Sequence, residues 1–506
     1  MCLVPVSQWG VRVTLSEVEE QVKPEAMVGL WLTVPASAGG PVAVSEAGAV
    51  LQRAGVRSGQ PFVLAADGSY DLHLNRFLRE LDGWGVRARN SIAAYSRDVM
   101  LFCRFLHSSR GGKSIWECDG GDLRAYKTAR LRVDGPYRVS VSTWNRSVAA
   151  LDKWVRWALY EGLLEREPFR YLDRQVMTPQ GLRQMRANAE LESDRQTRPV
   201  RFVSYEDYLL WRNVGLRGEL PDGTPDPSWR GRHAERNAAF ADLLMSTGMR
   251  LGEAASLLVC EVPPQSGDRG FGGVHLSAAV TKRNKPRTVF MTRRTLRAVH
   301  HYVEIERDAV VQRQLSTGGY TAATDVVTVR GTGRLSLALA DGRGSWPLSK
   351  IDPGQRARLR RQDGTRRPGE PLWLWLGRDG LPLRPATWQS AFQRANERCA
   401  RFDIPVAVHP HLLRHSYAVH MLGLLLRETV RALGGREDGQ LTRAEVKRLL
   451  IGNPMRKLQL LLGHSQESTV YDYLDVLDEA QEIVLSAMAH WDSQVAVLDR
   501  VTVTRP

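Results

Sequence analysis

The sequence predicts a mainly α-helical protein with a small β-sheet, arranged as a helical module followed by a larger mixed α/β domain. Its 506 residues exceed one ordinary domain. Between positions 71 and 175, apolar residues recur every three or four positions over two long windows, the period of amphipathic helices. Farther on, "GVHLSAAVTKRNKPRTVFMT" alternates into and out of a polar turn, the pattern of a hairpin.

The elements follow in order. A leader over residues 1–70, rich in Gly, Ala and Val, ends at "AADGSYD", where Asp67 and Gly68 mark a turn; its role is not legible. In "SIAAYSRDVMLFCRFL" the apolar stripe is Ile92, Tyr95, Val99, Phe102 and Leu106, with Arg97 and Arg104 pointing elsewhere. "STWNRSVAALDKWVRWALYEGLL" repeats the device with Trp144, Val148, Leu151, Val155 and Ala158, leaving Arg146, Lys153 and Arg156 outside the stripe. Residues 71–175 therefore read as a compact helical module whose basic faces are either solvated or laid on phosphates. Residues 176–199 are polar without a sustained period and read as a linker. Ser204 and Asp207 then form a capping signature that opens a second domain over residues 200–495. A tail is expected over 496–506.

Composition narrows the partners. With 70 Lys and Arg against 55 Asp and Glu, the net charge is +15 and the pI about 9.9, which fits a polyanion partner, with nucleic acid as the default, and on charge alone fits equally an arginine-rich composition with no ligand. The excess is uneven: residues 1–70 carry −2 and residues 71–174 carry +6, which leaves +11 for the rest. No apolar run reaches membrane-span length, and the first thirty positions place Glu17, Glu19 and Glu20 where a secretory signal would be basic and then apolar. A soluble, cytoplasmic, DNA-associated protein is expected. The five cysteines are scattered and unpaired in spacing, which argues against a disulfide framework or a cysteine metal site.

Chemistry concentrates in four stretches of the second domain. In "LLMSTGMRLGEAASLL", Gly248 is a natural helix stop, and Arg250 opens the next helix with Glu253 one turn along. Lys282, Arg283, Asn284 and Lys285 crown the hairpin, where a long ammonium side chain can be delivered. In "HPHLLRHSYAVHML", Pro410 suits a first helical turn, and His411, Arg414 and His415 fall on one side of the helix, whose N-terminus favours an anion. "LQLLLGHSQESTVYDYLDV" places His464 before Tyr471 and Tyr473. Taken singly, Arg250 and Glu253 also fit a surface ion pair, the hairpin tip a solubilising loop, and His415 a satisfied core histidine. Zinc would want H-E-x-x-H, and Leu412 stands where the glutamate belongs.

Taken in order, T-G-x-R-x-x-E at 247–253, T-K-x-N-K-x-R at 281–287, H-x-L-R-H at 411–415 and L-G-H-S followed by tyrosine resemble the tyrosine recombinase (phage integrase) family. The 71–175 module is similar to that family's helical core-binding, SAM-like domain, and residues 200–495 to its catalytic domain. Against the compact pattern of that family, insertions are expected near 315–370 and 427–455. The resemblance implies a site-specific recombinase or integrase, such as mobile genetic elements carry, acting on double-stranded DNA without metal or nucleotide cofactor. It implies that Arg250 and Arg414 grip the scissile phosphate and that Lys282 is the general acid. His411 and His464 would donate hydrogen bonds and assist proton transfer, Tyr473 would attack phosphorus, and Glu253 would support the site. The spacing from His464 favours Tyr473 over Tyr471. Candidate DNA contacts are Arg97, Arg146, Lys153, Arg156, Arg283 and Lys285. The family further implies a homo-tetramer on two synapsed sites, with "LDVLDEAQEIVLSAMAHW" as a docking helix that packs on a neighbouring subunit by analogy, docking within its own subunit being the alternative. A type IB topoisomerase, a catalytically silent DNA-binding regulator of the same fold and a zinc hydrolase are the competing classes. The arginine run at 356–367 fits either phosphate tracking or an unordered loop.

Overall fold

A computed structural model describes residues 4–5, 28–32, 59–178, 181–193, 201–265, 271–320, 326–333, 335–342, 344–362, 367–434 and 454–463. The chain divides into two compact units, Met1–Thr197 and Arg198–Pro506. No helix among the described residues is long and apolar enough to cross a membrane.

The first unit is built on the helices that the apolar periods predict: α1 (Leu72–Glu80), α2 (Arg89–Ser109), α3 (Gly120–Leu131) and α4 (Val141–Tyr160). Each start has a local cause. Asp71 accepts from the Leu74 amide, Asp119 from Gly121 and Asp122, and Ser140 from Thr143, satisfying amides that have no partner inside the helix. Trp144, Val148, Leu151, Val155 and Ala158 are all fully buried, together with Val99, Phe102 and Leu106, while Ile92 and Tyr95 pack at the margin.

Two corrections concern the ends of this unit. Parts of the leader fold into it: β1 (Val4–Pro5), β2 (Gly29–Leu32) and β3 (Pro61–Leu64) pair antiparallel in that order, and Val28, Leu30 and Val63 join the helical core. Asn75 locks the sheet to α1, because its side chain accepts from the Val63 amide at 2.7 Å and donates to the Val63 carbonyl at 2.9 Å. The expected linker is in large part a hairpin of β4 (Tyr171–Thr178) and β5 (Gly181–Asn188). The Tyr171 hydroxyl and the Asn188 amide both donate to the buried Asp152 of α4, and the Trp144 indole donates to the Glu190 carbonyl.

In the second unit, α5 (Tyr205–Trp211) starts at Ser204, whose hydroxyl accepts from the Asp207 amide at 3.0 Å. Ser204→Ala is expected to cost about 1 kcal/mol, the usual loss of a cap, read as a lower denaturation midpoint with an unchanged slope. Helix α6 (Ala234–Thr247) is buried along most of its length, and the short α7 (Leu251–Ala255) follows it. The hairpin is β6 (Phe271–Leu276) and β7 (Arg287–Thr292), leading into α8 (Arg293–Tyr302) and α9 (Asp308–Ser316).

The described residues of the insertion expected near 315–370 include a small sheet. Strands β8 (Val327–Thr332), β9 (Ser336–Leu339), β10 (Ser345–Pro347) and β11 (Leu359–Arg361) lie in the order β10-β9-β8-β11, with α10 (Pro353–Arg356) between the last two in sequence. The arginine run is neither a phosphate track nor a loose loop at Arg356 and Arg360, which are buried, and Arg361 and Arg367 pair with Glu370 and Asp308. Three helices close the described part: α11 (Pro385–Arg401), α12 (Pro410–Gly434) and α13 (Pro454–Leu462). Phe240 of α6 stacks on Trp388 of α11 at 3.6 Å between centroids, and Trp375 meets both edge-on. This aromatic cluster sits in the main core, from which α6 and α12 present their polar ends to the site.

Candidate active site

Helix α6 ends where Gly248 takes a left-handed φ of +61°, and Arg250 follows in extended conformation as the first turn of α7 begins. A side chain at 248 is excluded twice, since a Cβ there would lie 2.3 Å from the Tyr417 ring. The Arg250 amide donates to the Glu253 carboxylate at 2.8 Å, and its guanidinium reaches the same carboxylate at 3.0 Å.

Glu253 is 2% exposed and has a second cation that the sequence reading did not single out. Arg287, the last residue of the T-K-x-N-K-x-R stretch, sends both terminal nitrogens to the two Glu253 oxygens at 3.0 and 2.6 Å, and its Nε to the Leu461 carbonyl at 3.0 Å. Burial pushes the Glu253 carboxyl up, but Arg287 and then Arg250 hold it below its ordinary value. The fork-to-fork pair anchors the start of β7 to α7 and to the end of α13. Its only advance signal was its place in the motif.

Arg414 is 3% exposed and crosses from α12 to two other helix ends. One terminal nitrogen donates to the Gly248 carbonyl and the other to the Leu462 carbonyl. Both acceptors are helix-end carbonyls left over by the α-helical ladder, which explains how a buried guanidinium is tolerated. His409 is the cap of α12: its Nδ1 accepts from the Leu412 amide at 3.1 Å.

His411 and His415 stand one turn apart, their rings 4.3 Å between centroids and edge to face. The His411 imidazolium is disfavoured first by burial, then by the charges of Arg414, His409, Arg250 and Lys282. Both effects favour the neutral ring, which has one N–H to donate and one lone pair to accept. His415 is pushed down to about 4 by burial and then by His411 and Arg414. Because its folded value lies below the unfolded 6.5, its contribution to stability is complete above pH 6.5 and is lost as pH falls through about 4. The unfolding midpoint is expected to drop across that window, and His415→Gln to flatten the drop.

Lys282 is exposed, in a short 3-10 turn (Lys282–Asn284) of the loop joining β6 to β7, so the hairpin tip is wider than a tight turn. Lys285 is exposed beside it, and Arg283 lies in the same turn. His464, Tyr471 and Tyr473 lie outside the described residues, as do most of the expected 427–455 insertion and the docking helix. In the first unit, Arg146 forks onto the buried Asp98 at 2.8 and 3.0 Å, and Lys153 donates to the Trp84 carbonyl, leaving Arg156 exposed and Arg97 half-buried.

A helical unit with a basic surface residue on α4, and a second unit in which Arg250 and Arg287 share one buried carboxylate while Arg414 ties the turn before Arg250 to the histidine-bearing α12, suit a protein class that handles a phosphate polyanion. Residues 74–162 match the phage integrase N-terminal SAM-like domain, and residues 227–444 match the phage integrase family. Tyrosine recombinase XerC of Roseiflexus castenholzii is 24% identical over 406 residues, covering 80% of this chain and 88% of the relative. Tyrosine recombinase XerD of Agrobacterium fabrum is 25% identical over 434 residues, covering 84% and 96%. Among solved structures, the Tn1549 transposon integrase in complex with transposon right end DNA aligns at 11% identity and a TM-score of 0.44, over 79% of this chain and 94% of that one. The chain belongs to the phage integrase family of tyrosine recombinases and is a site-specific DNA recombinase.

Proposed function

We propose that this recombinase cuts and rejoins double-stranded DNA through a 3′-phosphotyrosyl intermediate, without metal or ATP. The observation that carries the reading is a convergence of separate segments: Arg250 and Arg287 share the Glu253 carboxylate, and Arg414, one turn along α12 from His411, donates to the Gly248 carbonyl two residues before Arg250. Arg250 and Arg414 bind the non-bridging oxygens of the scissile phosphate, where fixed cations stabilise the charge that builds up in the transition state. Glu253, paired with Arg250 and Arg287, offsets only part of that positive charge and fixes its geometry.

Tyr473 attacks phosphorus and its phenolic proton passes to an imidazole, with His411 and His464 as the candidates. The bond from phosphorus to the 5′ oxygen breaks, and Lys282 protonates the departing oxygen. The phosphodiester energy is kept in the covalent link, so the 5′ hydroxyl of a second DNA end reverses the step without a nucleotide. Two sites held by a homo-tetramer, as on a mobile genetic element, complete the exchange, and the C-terminal helix docks on a neighbouring subunit. Arg97, Arg146, Lys153, Arg156, Arg283 and Lys285 are proposed backbone contacts, with Arg146 and Lys153 available only if they leave Asp98 and Trp84.

A nicked suicide duplex built from the DNA flanking the gene tests this. Incubation in EDTA without nucleotide is expected to give a denaturation-resistant protein–DNA band. A band that needs added metal or ATP, or none under any of these conditions, would refute the reading.

A further inference from the structure

We infer that Arg356, together with the inserted sheet that carries it, is a positioning residue for Lys282, an inference that rests on Lys282 acting as the general acid. A lysine ammonium on a four-carbon stem gains directional accuracy only from its backbone root. Near-attack geometry tolerates little error, a misplacement of about 1 Å costing on the order of 100-fold. What fixes the root of an exposed loop lysine is therefore a question the fold must answer.

The answer lies at Ser277, where β6 ends and the Lys282 loop starts. Arg356 is fully buried, and each of its N–H groups has an acceptor. Its Nη2 donates to the Ser277 hydroxyl at 3.1 Å and to Glu261 Oε1 at 3.0 Å. Its Nη1 donates to Glu261 Oε2 at 2.6 Å and to the Ser256 carbonyl at 3.1 Å, and its Nε to the Ile351 carbonyl at 3.1 Å. No donor is left for a phosphate, so this arginine does not touch DNA.

What it joins is the informative part. Ser256 closes α7, the helix that Arg250 opens, and the Ser256 hydroxyl donates to the Glu253 carbonyl at 3.2 Å. Ser277 precedes the 3-10 turn Ala278–Val280, which runs directly into the Lys282 turn. One guanidinium thus bolts the segment bearing Arg250 and Glu253 to the root of the segment bearing Lys282. The inserted sheet adds an apolar brace: the turn Leu348–Lys350 packs against Ala278–Val280, and Leu258 shares a small core with Val329, Leu337, Leu348, Ile351 and Leu359. Burying a charge with a single carboxylate is a poor way to gain stability, whereas a multidentate link that admits one geometry is a good way to fix a register.

The test separates position from folding by changing the leaving group. A suicide substrate with sulfur in place of the bridging 5′ oxygen releases a thiolate, which departs without a proton. On the ordinary substrate Arg356→Met is expected to slow adduct formation by about 10- to 100-fold, and Ser277→Ala, which removes only the link to the Lys282 loop, by less. Both are expected to recover most of the loss on the sulfur substrate, as is Lys282→Ala. Recovery of Lys282→Ala without recovery of Arg356→Met and Ser277→Ala would overturn the inference, as would wild-type rates for both on the ordinary substrate. Failure of Lys282→Ala itself to recover would instead overturn the general-acid role, and the inference with it.

Discussion

Arg250→Ala is expected to slow single-turnover DNA cleavage by about 100- to 1,000-fold, the usual cost of removing one fixed donor from a developing oxyanion. The same change is expected to shift the melting temperature little. The Arg250 side chain is 30% exposed and, among the described residues, has one hydrogen bond, to a carboxylate that keeps its bidentate partner Arg287. The amide that caps Glu253 belongs to the backbone and survives the substitution. Arg250→Lys keeps the charge but not the planar fork, and is expected to fall between wild type and alanine. Adduct formation against time, measured beside a thermal melt, checks both parts; an alanine variant that cleaves at the wild-type rate would remove Arg250 from the phosphate site.

Gly248→Ala is expected to damage both stability and activity. The left-handed backbone costs an L-residue about 1–2 kcal/mol, and forcing the Tyr417 ring aside adds about 1–3 kcal/mol. The sum, about 2–5 kcal/mol, predicts a melting temperature lower by roughly 5–20 °C. Activity should fall further than stability does. The Gly248 carbonyl accepts from Arg414, so displacing this turn displaces a guanidinium of the proposed phosphate site. A variant that melts with wild type would mean that the turn relaxes without cost.

The parts of the fold that were legible in the sequence are those whose cause is local. The stripes through Val99 and Phe102 and through Trp144 to Ala158 announce themselves because one helical period carries all the burial. Ser204, Gly248 and Pro410 mark helix ends for reasons contained within a few residues. The 171–188 hairpin was not legible because its exposed residues, such as Leu172, Asp173 and Met185, set up no alternation, and its anchor is Asp152 on a distant helix. Arginine composition misled at 356–367 for a similar reason. Whether Arg356 faces water or the core depends on Glu261, 95 positions away, and no local pattern records that partnership.

The site follows the same division. Glu253 was recognisable from its spacing to Arg250, but the stronger partner, Arg287, lies 34 residues on and across a hairpin. His409 was visible only as one of several histidines, and its capping of α12 through Nδ1 needs the helix to be in place. Arg414 was legible as a cation beside His411, not as the strut that joins the ends of α6 and α13.

The covalent link itself offers the most direct measurement. The trapped protein–DNA adduct can be digested with nuclease and protease, and the peptide that carries a 3′-linked nucleotide phosphate identified by mass spectrometry. The account predicts the phosphate on the oxygen of Tyr473, with the adduct lost in Tyr473→Phe and kept in Tyr471→Phe. A phosphate on Tyr471, or an adduct that survives Tyr473→Phe, would contradict it.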